Sequence, residues 1–282
     1  MSELPKPNKQ RIEKSVKLAL EEDIGMGDIT GQLIDPLLSQ SAVLITREES
    51  ILCGSYWFEA AFKLLDINID ISWNKKEGDY LEANTEVATI FGNSRCMVAA
   101  ERTALNFLQM MSGIAYKTYC YKKSLEGSQT KLLDTRKTLP GLRYEQKYSV
   151  VIGGGHNHRM GLYDEALIKE NHLLSTRSIS EAISILREKK VRKIEVEVEN
   201  LDELEQAIAS KADIAMLDNF SDEDLGSACE IAKGNIKLEV SGNITFEKLE
   251  KIKMLDIDFI SSGDLTKNIS ATDYSLIFKT ID

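Results

Sequence analysis

Apolar residues at positions 12, 16, 18 and 20 recur at helical spacing and predict an amphipathic helix over 12–22. β-rich runs follow at 41–46 and 51–53, and 56–65 returns to a helical pattern. Ile67-Asn68-Ile69-Asp70-Ile71 alternates apolar and polar, as a strand with one buried face does. A turn at Lys76-Glu77-Gly78-Asp79 precedes a β-run over 86–91, and 101–123 reads as a long helix, bent or interrupted at Ser112-Gly113. This first part of the chain is α+β in character.

From Lys131 onward strands and helices take turns. β-runs at 194–198, 214–217 and 236–240 alternate with helical stretches at 201–209, 222–232 and 245–254, and Phe259-Ile260 is a further short strand. With Leu132-Leu133 and Leu167-Ile168 the count reaches six. Strands joined by helices imply parallel pairing. Each later run stops at a polar or glycine-bearing cluster: Glu197 with Glu199, Asp218-Asn219, Ser241-Gly242-Asn243 and Ser262-Gly263-Asp264. The clusters are 21 (197 to 218), 23 (218 to 241) and 22 (241 to 263) residues apart. Such even spacing sets them side by side on the rim at the carboxyl ends of the strands, where barrels and open parallel sheets both carry their sites. Spacing alone does not separate those two architectures, and six strands fall short of a full barrel.

Charge and composition narrow the partners. The chain has 282 residues and a net charge of -10, which excludes the basic face of a nucleic-acid binder. Cys53, Cys96, Cys120 and Cys229 form no Cys-x-x-Cys pair and read as small hydrophobes in a reducing compartment. No stretch is long and apolar enough to span a bilayer, and residues 1–15 show no leader core, so a soluble cytoplasmic protein is expected. Against the acidic background, 131–172 holds seven Lys or Arg and five Asp or Glu, all three histidines and the run Gly153-Gly154-Gly155. That basic island is a candidate anion site.

The candidate chemistry follows from residue type. Arg136, Lys137, Arg159 and Lys169 beside the first two later strands can grip carboxylates or phosphates, arginine by its planar fork and lysine as a point charge. Ser241-Gly242-Asn243 and Ser262-Gly263 follow the last strands, where exposed backbone N–H groups meet phosphate; two ordinary turns are the alternative. Glu197 and Asp218 suit Mg²⁺ or ribose hydroxyls, or simply pair with a rim cation. His156 and His158 lack a third ligand, so His158 is read as a hydrogen-bonding group for an anion and His172 as a packed histidine. Arg102 is read at the start of a helix, where a cation opposes the dipole.

Taken together the motifs resemble the quinolinate phosphoribosyltransferases, the carboxylating nicotinate-nucleotide pyrophosphorylases. The matching stretches are 22–30, 101–106, 134–138 with Pro140-Gly141, 153–159, 168–172, 195–198, 217–219 and 241–242. The resemblance implies an α/β protein with an N-terminal α+β sandwich domain over 1–110, an incomplete TIM-like barrel over 111–270, and a tail over 271–282 packing back on the first domain. It implies a pentosyltransferase that joins quinolinate to phosphoribosyl pyrophosphate with Mg²⁺, releasing pyrophosphate and CO₂. It further implies a homodimer in which Arg102 reaches the partner's site. By motif position, Arg102, Arg136, His158 and Arg159 would hold the two carboxylates of quinolinate. Lys137 and Lys169 would serve the phosphoribosyl and pyrophosphate groups. Glu197 and Asp218 would face ribose and, directly or through water, the metal; these four are the expected catalytic residues. Ser241, Gly242, Asn243, Ser262 and Gly263 would take the 5′-phosphate.

Some positions depart from the family pattern. Leu139 stands where threonine is common, Val151 where a basic residue is common, and Lys267-Asn268 where His-Ser is usual. Asp264 puts a negative charge beside the expected phosphate turn, with Lys267 at hand to offset it. A paralogue of the same fold, such as a molybdenum-transport accessory protein or a nicotinate-using transferase, is the enzyme alternative. A non-catalytic phosphoribosyl or nucleotide sensor is the other, although it would need no paired carboxylates among the cations.

Overall fold

The computed structural model describes residues 5–279. The chain divides into two compact units: the described parts of Met1–Tyr119 and Ile269–Asp282 with Pro140–Gly154, and Cys120–Leu139 with Gly155–Asn268. Packing thus changes over at 119–120, where the family resemblance implies 110, and 140–154 returns to the first unit.

Elements are numbered in chain order. The first unit holds α1 (Lys9–Ile24), β1 (Ser39–Thr46), β2 (Ser50–Ile51), α2 (Ser55–Leu65), β3 (Asp70–Trp73), β4 (Tyr80–Leu81), β5 (Glu86–Asn93) and most of α3 (Ser94–Ser124). The second holds β6 (Lys131–Leu133); α4 (Arg143–Ile152) belongs again to the first. The second unit continues with β7 (Ala166–Ile168), α5 (Glu170–Leu173), α6 (Ile179–Glu188), β8 (Ile194–Val198), α7 (Leu201–Ala209) and β9 (Ile214–Asp218). It ends with α8 (Asp222–Ala232), β10 (Lys237–Ser241), α9 (Phe246–Ile252), β11 (Phe259–Ser261) and α10 (Asp264–Lys267), and β12 (Tyr274–Phe278) closes the chain in the first unit.

In the first unit a four-stranded antiparallel sheet runs β12-β1-β5-β3. Ala42 and Leu44 of β1 and Ala88 and Ile90 of β5 are buried at alternate positions. They join α1 residues Ile12, Val16 and Leu20, four apart on one helical face, and α2 residues Trp57, Phe58 and Phe62 in one core. Phe58 lies 4.9 Å from Phe62 and 5.6 Å from Trp73 between ring centroids, distances at which tilted rings attract. The Glu77 carboxylate crosses to α2 and accepts from the backbone of Gly54 (2.8 Å) and Ser55 (3.0 Å), satisfying N–H groups the helix start leaves open. Burial pushes the Glu77 carboxyl up, a cost those N–H groups offset in part.

The structure corrects several expectations in this unit. The strand read over 67–71 begins only at Asp70: Asp66 accepts from the backbone of Asn68 in a tight turn, and Ile67 is 72% exposed. The run at 51–53 pairs only at Ser50–Ile51. α3 is unbroken from Ser94 to Ser124, so Arg102 sits two turns inside the helix and no dipole penalty attaches to it. Gly113 does not bend α3; a Cβ there would lie 2.0 Å from the Ser270 carbonyl oxygen, so the glycine admits another stretch of backbone. Gly153 serves the same purpose against α3, since its Cβ would meet the Ala115 oxygen at 2.3 Å. That part of the glycine run is a packing feature.

In the second unit six parallel strands follow the order β6-β11-β10-β9-β8-β7, with β6 and β7 at the edges of a barrel-like sheet left open. A parallel bridge between Leu133 and His156 extends the β6 edge. Asn200, Ser221 and Thr245 accept from the third residue of α7, α8 and α9, so polar groups just beyond the strands start the return helices. These caps hold the strand ends in step.

Candidate active site

Strand register assembles the site. Ser241 of β10 pairs with Asp218 of β9, and Glu197 of β8 with Met216, so the polar strand ends share one rim of the second unit. Side chains two apart point the same way along a strand. Glu195 thus shares a strand face with Glu197, and Glu239 with Ser241, each one step further from the strand end, and His158 meets both of the deeper carboxylates.

Four groupings are built on this rim. Lys169, just after β7, donates its ammonium to the Glu197 carboxylate, a pair whose glutamate side chain is 15% exposed. Asp218 accepts from the Asn219 amide at 2.9 Å. Gly242 has φ +91, and a Cβ there would lie 2.2 Å from Asn219 Oδ1, so glycine alone lets the turn close over Asn219. Lys248 adds a cation by donating to the Gly242 carbonyl at 3.4 Å.

The Ser262-Gly263 turn is clasped to the basic island. Ser262 N donates to Leu133 O at 3.0 Å, and Thr266 Oγ1 to Lys137 O at 2.8 Å. A Cβ on Gly263 would fall 2.7 Å from Lys137 Cδ, so the lysine stem lies across the glycine. Asp264 turns its carboxylate to Tyr121 (3.0 Å) and Asn268 (2.5 Å). Its charge is thereby held by neighbouring donors beside the turn. Burial first, and then Asp264, push the Tyr121 phenol up to about 12. The Tyr121 ring packs on Phe246 at 4.5 Å, tying the β10–α9 and β11–α10 connections together.

Among the cations Arg159 is buried, Arg136 and Lys169 are half-buried and Lys137 is exposed. Arg159 is 8% exposed, and its Nη1 donates to Glu165 O at 3.4 Å. Burial and then the Arg136 guanidinium pull Arg159 down, against the upward effect of Glu195, Asp164 and Glu165. Two guanidinium groups this close have the chemistry to bind a dianion. His158 is held by Asp134, which accepts its backbone N–H at 2.9 Å. Its imidazole accepts the Arg159 N–H on Nδ1 (2.7 Å) and meets Glu195 through Nε2 (3.0 Å). Burial pulls His158 down, but the Glu195 hydrogen bond and the charges of Glu239, Glu195 and Glu165 outweigh it. His172, read as packed, is exposed and accepts the Lys169 N–H at 3.0 Å.

The second unit thus gathers Arg136, Lys137, His158, Arg159, Lys169, Glu197, Asp218, Ser241, Gly242, Asn243, Ser262 and Gly263. Arg102 belongs to the first unit and is exposed on α3. The sequence reading missed Glu195 and Glu239. Their signal was the acid two residues before a rim residue on each strand, in Glu195-Val196-Glu197 and Glu239-Val240-Ser241.

Comparisons with known proteins agree with this fold. Residues 28–112 match the N-terminal domain and 114–277 the C-terminal domain of quinolinate phosphoribosyl transferase. A Bacillus subtilis protein described as a probable nicotinate-nucleotide pyrophosphorylase (carboxylating) is 38% identical over 271 residues, 95% of this chain and 94% of that one. The chloroplastic enzyme of that name from Arabidopsis thaliana is 38% identical over 94% of this chain and 82% of its own. Among solved structures, the nicotinate-nucleotide pyrophosphorylase of Francisella tularensis superposes with a TM-score of 0.94 at 46% identity, covering 99% of this chain and all of that one (100%).

Proposed function

The chain belongs to the quinolinate phosphoribosyltransferase family, and from that premise we propose how its residues divide the work of the family reaction. The enzyme is a pentosyltransferase of pyridine-nucleotide biosynthesis: quinolinate and phosphoribosyl pyrophosphate give nicotinate mononucleotide, pyrophosphate and CO₂. The observation that carries the division of labour is the placement of buried Arg159 near half-buried Arg136, close enough for the two guanidinium charges to act on one another, in the same unit as the polar strand ends.

Quinolinate is a dianion, and its two carboxylates relieve that repulsion. Arg136 and Arg159 grip them, with His158 beside Arg159 and Arg102 supplied by the partner. Lys137 and Lys169 face the leaving pyrophosphate, whose charge grows as the C–O bond breaks. Glu197 and Asp218 stabilise the positive charge that develops on the ribosyl ring. The ring nitrogen of quinolinate attacks that centre as pyrophosphate leaves; the positive pyridinium nitrogen then stabilises the ylide carbanion left on the adjacent carbon when CO₂ departs, and that carbon takes a proton from water. No side-chain nucleophile is needed; orientation and fixed charge do the work.

Mg²⁺ fits this rim. Glu197 and Asp218 offer hard oxygen donors, with Glu197 already countered by Lys169, so the ion would be held largely through water and the pyrophosphate. When bound it neutralises that leaving group. Ser241, Gly242, Asn243, Ser262 and Gly263 cradle the 5′-phosphate.

A homodimer completes the reading. Arg102 is exposed, and Met26, Ile29, Leu33 and Leu37 expose 83–108% of their surface, an apolar arm suited to a second copy. The four free cysteines suit a reducing cytoplasm, and no helix among the described residues is long and apolar enough to cross a membrane. The deciding assay supplies Mg²⁺ and phosphoribosyl pyrophosphate with either quinolinate or nicotinate. Quinolinate should be consumed with stoichiometric CO₂; turnover of nicotinate alone would refute the assignment.

A further inference from the structure

Beneath the rim, three ionisable side chains meet in the sheet interior. Glu195 is 2% exposed, Glu239 is 0% exposed, and His158 presents its Nε2 at 3.0 Å from Glu195 and 3.6 Å from Glu239. Neither oxygen of Glu239 and only one of Glu195 finds a donor, and Ser261 Oγ beside them is likewise unmatched. Two ionised carboxylates with three unmatched oxygens in the interior would carry a heavy desolvation cost. A single proton removes it.

We propose that Glu239 and Glu195 are positioning residues for the dicarboxylate pocket, with Glu239 carrying a proton that completes one hydrogen-bonded chain from Ser261 to Arg159. In that chain Ser261 donates to Glu239, the Glu239 hydroxyl to Glu195 Oε1, and His158 Nε2–H to Glu195 Oε2. The Arg159 backbone N–H donates to His158 Nδ1. Every unmatched atom of the cluster is then used, and the imidazole has one allowed tautomer. The inference rests on placing quinolinate against Arg159 and His158.

The surrounding charges support it. Burial first, and then Glu195, push the Glu239 carboxyl up, while His158 and the Ser261 hydroxyl pull it down less strongly. The facing groups come from several elements: Glu195 on β8, His158 in the 156–159 loop with Glu165 behind it, Ser261 on β11 and the apolar Met216 of β9. Neighbouring carboxylates pull His158 toward imidazolium, whereas the Arg159 N–H on Nδ1 requires a lone pair there. Protonating Glu239 removes part of the first pull, and the hydrogen-bond geometry decides for the neutral ring. One anion, Glu195, then faces the Arg136–Arg159 pair; a second would cancel the attraction the pair offers a dicarboxylate.

The three ligating atoms also lie within 4.8 Å of one another, a spacing that admits a metal. The 3.0 Å contact between Nε2 and Glu195 is a hydrogen-bond distance, though, and Nδ1 is already taken.

The test compares wild type with Glu239→Gln, whose amide repeats the same donor and acceptor without a titrating proton. At neutral pH both should have a quinolinate KM within about twofold. As pH rises and Glu239 ionises, the wild-type quinolinate KM should climb about tenfold while that of Glu239→Gln stays flat and the phosphoribosyl pyrophosphate KM does not move. ¹⁵N-histidine spectra of either protein, without substrate, should show His158 protonated on Nε2 only. An equal alkaline rise in both proteins, failure of Glu239→Gln to fold, an Nδ1-protonated His158, or a chelator-sensitive bound metal would each overturn the proposal. Absence of quinolinate turnover by the wild type would instead defeat the assignment beneath it, which the tautomer spectrum tests separately.

Discussion

At the scale of single residues the site is shaped as much by missing atoms as by charged ones. Gly242 has φ +91, and any Cβ would press on Asn219, which in turn donates to Asp218. Gly242→Ala therefore strains the turn and displaces the amide that donates to Asp218, the carboxylate proposed to face the ribose. We expect the KM for phosphoribosyl pyrophosphate to rise about tenfold and that for quinolinate to change less than about twofold, because strain of this kind is local. Steady-state kinetics with each substrate varied in turn would expose the error if both constants rose together. Most rim residues were legible in the sequence because each closes an apolar run. Glu195 and Glu239 were not, since acids inside a strand read as its solvent face, whereas this sheet turns them inward. The direction Asp264 takes is something no sequence pattern displays: Tyr121, 143 residues away, donates to its carboxylate.

At the scale of elements, legibility followed the way each element buries itself. The strand–helix alternation from Ile194 to Ile252 stood out because each unit repeats the same inward pattern. α4 was invisible: it buries Glu145, Gln146, Lys147 and Ser149 along with Tyr148 and Val150, so it has no apolar stripe. Its polar side chains are used internally, as where Trp57 Nε1 donates to Glu145 at 3.3 Å. β12 escaped because its partner β1 lies more than 200 residues earlier, with Leu276 set against Leu44. α3 offers a test whose sign is fixed by packing. An alanine in place of glycine inside a helix ordinarily stabilises by about 1 kcal/mol. At Gly113 the new methyl would sit 2.0 Å from the Ser270 carbonyl, and backbone cannot rotate aside as a side chain can. Gly113→Ala should therefore destabilise by about 1–3 kcal/mol in denaturant unfolding; a stabilised variant would mean that the segment before β12 is not held against α3.

At the scale of the whole molecule, the division of the proposed site residues between the two units makes the proposed dimer testable. The second unit carries Arg136, Lys137, Arg159, Lys169, Glu197, Asp218 and the glycine turns at 242 and 263, yet the motif residue Arg102 lies in the first, exposed on a helix. A dianion held by Arg136 and Arg159 gains a third guanidinium if a partner's α3 delivers it, and catalysis then requires two copies. Shared sites make a numerical prediction. Arg102→Ala leaves each second unit intact but takes away its donated cation; Arg159→Ala spoils the pocket but leaves the donor. Mixed and allowed to exchange, the two inactive variants form mixed dimers as half of the population, each with one intact site of two. Activity should therefore return to about one quarter of the wild-type value, and only under conditions that let subunits exchange. A self-contained site predicts no recovery at any mixing ratio, so the size of the returned activity, not merely its presence, measures whether Arg102 works in its own subunit or in its neighbour.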